Sequence, residues 1–188
     1  MPDRNRPLAS SVVALAGRRI DAENTSPARL SLAQVPLVRK RLTDLFITEN
    51  ASALVCSAAC GADLIALEAA GRLELRRRVI LPFAPERFRE TSVVDRPGRW
   101  GEAYDRVIAE VQAKGDLVVL SMVASDDGDA YQAANRAIVR EAQKLAEPRK
   151  RLAVIVWEGA PRSDSDTTEA FRVLAEKAGF SQRFVLTI

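Results

Sequence analysis

The feature that most restricts this chain is its rhythm of short, unbroken apolar runs, each followed by a stretch with helical spacing. Ser11 to Ala16, Ala53 to Cys56, Val79 to Leu81, Asp116 to Leu120, Leu152 to Trp157 and Arg183 to Ile188 read as strands. Most of them are continuous rather than alternating, which suits strands covered on both faces. Between them, apolar residues recur three or four apart. Examples are Leu37, Val38, Leu42, Leu45 and Phe46 within Leu30–Asn50, and Trp100, Tyr104, Val107, Ile108 and Val111. Tyr131, Ala134, Ile138, Ala142 and Leu145 repeat the pattern, and so do Phe171, Leu174, Ala175 and Ala178. Strands alternating with helices from end to end predict an α/β fold. The expected form is a three-layer Rossmann-like sandwich with a mainly parallel sheet of about six strands.

The 188 residues suit a single domain over 1–188, with residues 1–10, polar and containing two prolines, expected as a flexible tail. A net charge of +3 without a clustered, aromatic-interleaved basic patch gives no support for a nucleic-acid partner. There is no histidine, which removes the commonest general base and metal ligand together. Cys56 and Cys60 are the only cysteines, and a CxxxC pair without further ligands makes no zinc site, so no metal is expected. No run is long enough to span a membrane, and the N-terminus lacks the apolar core of a signal peptide. The expected setting is the cytoplasm.

Candidate site residues gather where strands end. Leu54 to Ala70, LVCSAACGADLIALEAA, is a strand that bends on small residues into a helix. Such a bend points unpaired N–H groups and the positive end of the helix dipole at one spot, a setting for phosphate. Ser57, Ala58, Ala59, Cys60 and Gly61 would form that cradle, Gly61 admitting a close approach. Asp63 would cap the helix or bond a ribose hydroxyl. Gly17, Arg18 and Arg19 follow the first strand. They either place amides and a guanidinium against phosphate or form a solvated surface turn. Ser121 opens the loop to Asp127 after the fourth strand. The connection Pro82 to Gly98 reads as a long loop whose Phe83, Phe88 and Arg89 either contact a base or cover the core. Asn135 lies one turn after Tyr131 on an apolar stripe and needs a partner, in the backbone or in a ligand. In a doubly wound sheet, ligand lies beyond the carboxyl ends of the strands at the switch point.

The run Ser57-Ala58-Ala59-Cys60-Gly61-Ala62-Asp63 resembles the S-G/A-x-x-x-G-A/I-D turn of the Smf/DprA and LOG-like superfamily, SLOG. The segments CGADLIALEAA, LPFAPERFRETSV with Trp100, and Tyr131-x-x-x-Asn135-Arg136 are similar to SLOG domains fused to bacterial signalling and tetratricopeptide proteins. The resemblance implies a Rossmannoid fold that binds a nucleotide or nucleotide derivative as a sensor. No further cofactor is implied, and a homodimer or a fused signalling domain is the expected kind of partner. LOG phosphoribohydrolases carry a PGGxGTxxE run. Its counterpart here, Pro161 to Glu169, reads PRSDSDTTE and lacks those glycines, keeping Thr167, Thr168 and Glu169. The enzyme alternative is a nucleotide N-glycoside hydrolase or transferase using Glu169 first or Glu68 second. A protein-interaction module with a vestigial pocket is the third reading.

Overall fold

The computed structural model describes residues 10–120, 127–147 and 149–188. Its strands are β1 (Ser11–Gly17), β2 (Ala51–Cys56), β3 (Arg76–Leu81), β4 (Leu117–Val119), β5 (Lys150–Trp157) and β6 (Ser181–Leu186). All neighbouring pairs are parallel, in the order β4-β3-β2-β1-β5-β6. Helices α1 (Val35–Thr48), α2 (Ala62–Arg72), α3 (Pro85–Ser92), α4 (Trp100–Ala113), α5 (Asp127–Ala146) and α6 (Thr167–Lys177) lie in the connections. The expected sandwich forms. The expected tail, apart from Ser10, falls outside the described residues, and so do Ser121 and most of the loop that follows β4.

The unbroken apolar strands are explained by two buried faces. Alternate side chains of a pleated strand point to opposite sides. On β1, Val13 and Leu15 pack with α1, α2 and α4, while Val12 and Ala14 pack with α5 and α6. On β5, Leu152, Val154 and Val156 join the first layer, and Ala153, Ile155 and Trp157 join the second. From β1 the chain steps outward through β2, β3 and β4. The twenty residues of α5 then carry it back to lay β5 on the other flank of β1. The order therefore reverses between β1 and β5, which is where a doubly wound sheet opens a crevice.

Two glycines hold that crevice together. A Cβ on Gly17 would lie 2.5 Å from the Ala62 Cβ and 2.6 Å from the Val156 Cβ, so only glycine lets α2 start directly against β1 and β5. Gly61 has φ +107°, and its Cβ would lie 2.6 Å from the Arg18 carbonyl oxygen. Around it, the Ile20 N–H donates to the Cys60 carbonyl (3.2 Å) and the Ala62 N–H to the Arg18 carbonyl (2.9 Å). Both glycines thus admit the chain's own backbone. Gly61→Val is expected to lower stability by about 2–6 kcal/mol in urea denaturation, from positive-φ strain together with overpacking. A loss below 1 kcal/mol would contradict this packing.

One connection differs from its sequence reading. Pro82 to Gly98 is not a long loop: Pro85 to Ser92 forms α3, with Pro at its first position, where the missing N–H costs nothing. Eight residues with only Phe88 apolar show no helical period, so the pattern was invisible. Among the described residues no helix is long and apolar enough to cross a membrane, and no group of three or more His, Cys, Asp or Glu could hold a metal.

Candidate functional site

Two adjoining cavities open beyond the carboxyl ends of β1 and β5. The inner one, about 100 Å³, has a mixed lining. Its apolar part comes from Leu15 of β1, Phe88 of α3 and Tyr131, Ala134 and Ile138 of α5. Ser57, Ala59 and Asp63 enter from the β2–α2 turn, with Ser92, Asn135, Thr167 and Thr168. The outer cavity, about 310 Å³, shares Gly17, Arg19, Thr167 and Thr168 with the first and adds Arg18, Arg29, Arg96 and Arg162. Combined, they reach the size of an ordinary ligand site, several hundred Å³.

Two amides of the turn expected to cradle phosphate, and the first of α2, are used internally. The Ala59 N–H donates to the Asp63 carboxylate (3.2 Å), the Cys60 N–H to the Ser92 carbonyl (3.0 Å) and the Ala62 N–H to Arg18. Asp63, in the first turn of α2, does not cap the helix as expected: its carboxyl accepts from the Ala59 N–H in the turn before it. Ala58 and Cys60 are buried in the first layer of the core. The Ser57 Oγ is shielded from solvent and has no hydrogen-bond partner, at the wall of the inner cavity. Asp63 is buried among α2 residues, and this desolvation pushes its carboxyl up to about 7, against the pull of the Ala59 N–H and the Arg19 charge.

Arg18 is buried, and its guanidinium is spent within the chain. Nε and Nη2 donate to Glu158 (2.5 and 3.0 Å), Nη1 to both Asp166 oxygens (2.8 and 2.7 Å) and Nη2 also to the Ala160 carbonyl (2.8 Å). Asp166 in turn caps α6 through the Thr168 and Glu169 N–H groups. Arg18 therefore ties the β1 loop to the start of α6 and is a wall of the site, not a free phosphate ligand. Arg19 differs: its Nη2 donates to Asp95 and contacts the Cys60 Sγ (3.8 Å), while its buried Nε has no hydrogen-bond partner. Burial pushes the Cys60 thiol up despite that guanidinium, so Arg19 makes no thiolate there.

The remaining candidates divide. Phe88, Tyr131 and Asn135 line the inner cavity. The Tyr131 hydroxyl pairs with Ser92 (2.8 Å), and Asn135 donates to the Thr167 carbonyl (3.0 Å), the backbone partner its position required. Phe83 is buried behind Tyr131, edge to face at 6.0 Å, outside the lining. Arg89 points away, paired with Asp105. Neither proposed catalytic carboxylate reaches the cavity. Glu68 is tied to Arg39 and Arg106 on the α1–α4 side, and Glu169 is clamped by Arg172, which holds its carboxyl below the usual range. A helix start fixes a residue's height but not its azimuth: Thr167 and Thr168 line the cavity, whereas Glu169, next in the first turn of α6, turns to Arg172. Sequence reading missed Leu15, two residues before Gly17 on β1, and Ile138, on the α5 stripe of Tyr131 and Ala134, both of which local spacing could have found. The arginines at 29, 96 and 162, also missed, sit on separate connections with no shared spacing.

An all-parallel sheet with a crevice at its switch point defines a doubly wound, Rossmann-like fold. Among solved structures, the chain is similar to the X-ray structure of DNA processing protein A (DprA) from Streptococcus pneumoniae, with a TM-score of 0.54 and 15% identity. The match covers 94% of this chain and 50% of that one, so this chain spans about half the length of DprA. What this likeness shows is the fold. No family model matches the chain, and no curated protein matches it in sequence.

Proposed function

We propose that the chain binds a nucleotide or nucleotide-derived small molecule in this cleft, as a sensor rather than a catalyst. The base enters the inner cavity, against Phe88, Tyr131 and Ile138, and the ribose lies at its junction with the outer one. The ligand's charged end reaches the outer one. The observation that carries this reading is the direct junction of an apolar-floored cavity with an arginine-lined one across Gly17 and Thr167. A non-catalytic role is supported by Glu68 and Glu169, both ion-paired away from the cleft.

The test is a thermal-shift screen of nucleosides, nucleotides, NAD, ADP-ribose, cyclic oligonucleotides and, because the similar structure is a DNA processing protein, a single-stranded oligonucleotide. Ligand at a hundredfold its Kd should add about 2.7 kcal/mol. Ser57→Leu, which fills the inner cavity, should abolish the shift, and Glu169→Gln should keep it, with the ligand recovered intact by chromatography. Cleaved ligand would favour the N-glycoside hydrolase. A shift with the oligonucleotide alone would favour a nucleic-acid partner, and no shift at all would favour a protein-interaction module.

A further inference from the structure

The outer cavity has a charge pattern that the nucleotide reading does not require. Five guanidiniums, those of Arg18, Arg19, Arg29, Arg96 and Arg162, line it from four separate segments. The carboxylates that pair with them, Asp95, Glu158 and Asp166, are not part of the lining. Only Asp21 presents a carboxylate to the cavity, and that group already accepts the Arg29 and Leu30 N–H groups (2.8 and 2.9 Å).

The five are not equivalent. Arg18 is fully bonded and serves as scaffold. Arg29, Arg96 and Arg162 each stand 3.6 Å from their carboxylates, Glu158, Asp95 and Asp166, a Coulombic pairing beyond hydrogen-bond length. The Nε atoms of Arg19 and Arg96 are shielded from solvent and have no hydrogen-bond partner. Those two Nε atoms lie beneath the surface, and what the cavity can meet is the outer forks of Arg19, Arg29, Arg96 and Arg162, whose side chains are all partly exposed. A single phosphate presents three terminal oxygens, too few to engage four converging guanidiniums bidentately. Two linked phosphates supply the oxygens, and planar guanidinium forks match them well.

We propose that this arginine cup is a diphosphate subsite, so that the ligand is a nucleoside diphosphate or a dinucleotide joined by a diphosphate, and a nucleoside monophosphate leaves the cup half filled. The inference rests on the proposed nucleotide reading for the part of the ligand outside the cup. Arg19 links the two cavities and reaches the phosphate nearest the ribose. Arg29, Arg96 and Arg162 hold the distal one.

The experiment is isothermal titration of the purified chain with a nucleoside, its 5′-monophosphate and its 5′-diphosphate for each common base, and with inorganic phosphate and pyrophosphate. For one base, the diphosphate should bind at least about tenfold tighter than the monophosphate, the scale of an added charge-assisted contact. Arg96→Gln and Arg162→Gln should each remove about that factor from the diphosphate and change nucleoside affinity less than about twofold. Both side chains are partly exposed, and their carboxylates keep Arg19 and Arg18 as partners, so folding is preserved. Monophosphate binding as tightly as diphosphate, or indifference to both variants, overturns the cup and leaves the nucleotide reading standing. Pyrophosphate binding with no gain from any nucleoside supports the cup and overturns the nucleotide reading. Binding by none of the probes overturns both.

Discussion

Asp166→Ala is expected to destabilise the protein by about 3–5 kcal/mol, the range for removing one partner of a buried ion pair. The Asp166 side chain has no exposed surface and faces Arg18, itself 2% exposed. It accepts from Arg18 Nη1, from the Arg162 N–H (2.7 Å) and, as the cap of α6, from the Thr168 and Glu169 N–H groups. Its loss strands half of a buried guanidinium and uncaps a helix, the second effect alone being worth about 1 kcal/mol. Asp166→Asn keeps an acceptor for the cap and should cost less. Arg18→Met with Asp166→Ala should recover part of the loss, because no unpaired charge is then left inside. Urea denaturation at pH 7 measures all three, and a cost below 1 kcal/mol for Asp166→Ala would mean that Glu158 alone carries Arg18. Burial pushes the Asp166 carboxyl up, but the Arg162 N–H and the Arg18 guanidinium pull harder, so its pKa lies below the ordinary value. The stabilisation from this group is therefore present above about pH 4 and is lost as pH falls through the depressed folded pKa.

The same ion pair marks the limit of what was legible in the sequence. Continuous apolar strands and helical stripes are local patterns, and they placed the sheet, its parallel sense and the strand ends that meet at the crevice. Arg18 after β1 was legible as a residue at the site, yet its role was not. The carboxylates that claim it are Glu158 and Asp166, far along the chain beyond β5, and no local spacing announces them. Gly61 was legible as a position needing glycine, but the close approach comes from the Arg18 and Ile20 backbone rather than from a ligand. The arginine cup was illegible for the same reason as Arg18: Arg29, Arg96 and Arg162 lie on three connections that only the tertiary fold brings together. What local pattern determines is where the backbone ends its strands. Which side chains converge there depends on pairings across the sheet.

Asp63→Asn is expected to change the pH dependence of stability more than any other single substitution at the cleft. In the folded protein, burial raises the Asp63 carboxyl to about 7, whereas in the unfolded chain it titrates near 4. Between these values the folded state holds a proton that the unfolded state has released, so stability falls as pH rises from about 4 to about 7 and is level above that. Three units at about 1.4 kcal/mol each amount to a loss on the order of 4 kcal/mol between pH 4 and pH 8. Asparagine keeps an acceptor for the Ala59 N–H and carries no charge, so the variant's profile should be flat across that window. At pH 8 the variant should be the more stable protein, and near pH 4 the two should agree within about 1 kcal/mol. Chemical denaturation at half-unit pH steps decides the matter, since parallel profiles for the two proteins would mean that Asp63 titrates normally. The same carboxylate bears on where phosphate sits. Above about pH 7, where Asp63 ionises in the first turn of α2, a second anion at that end of the helix would be repelled. The proposed diphosphate subsite avoids that repulsion, because Asp63 is not among the residues that line the arginine cup.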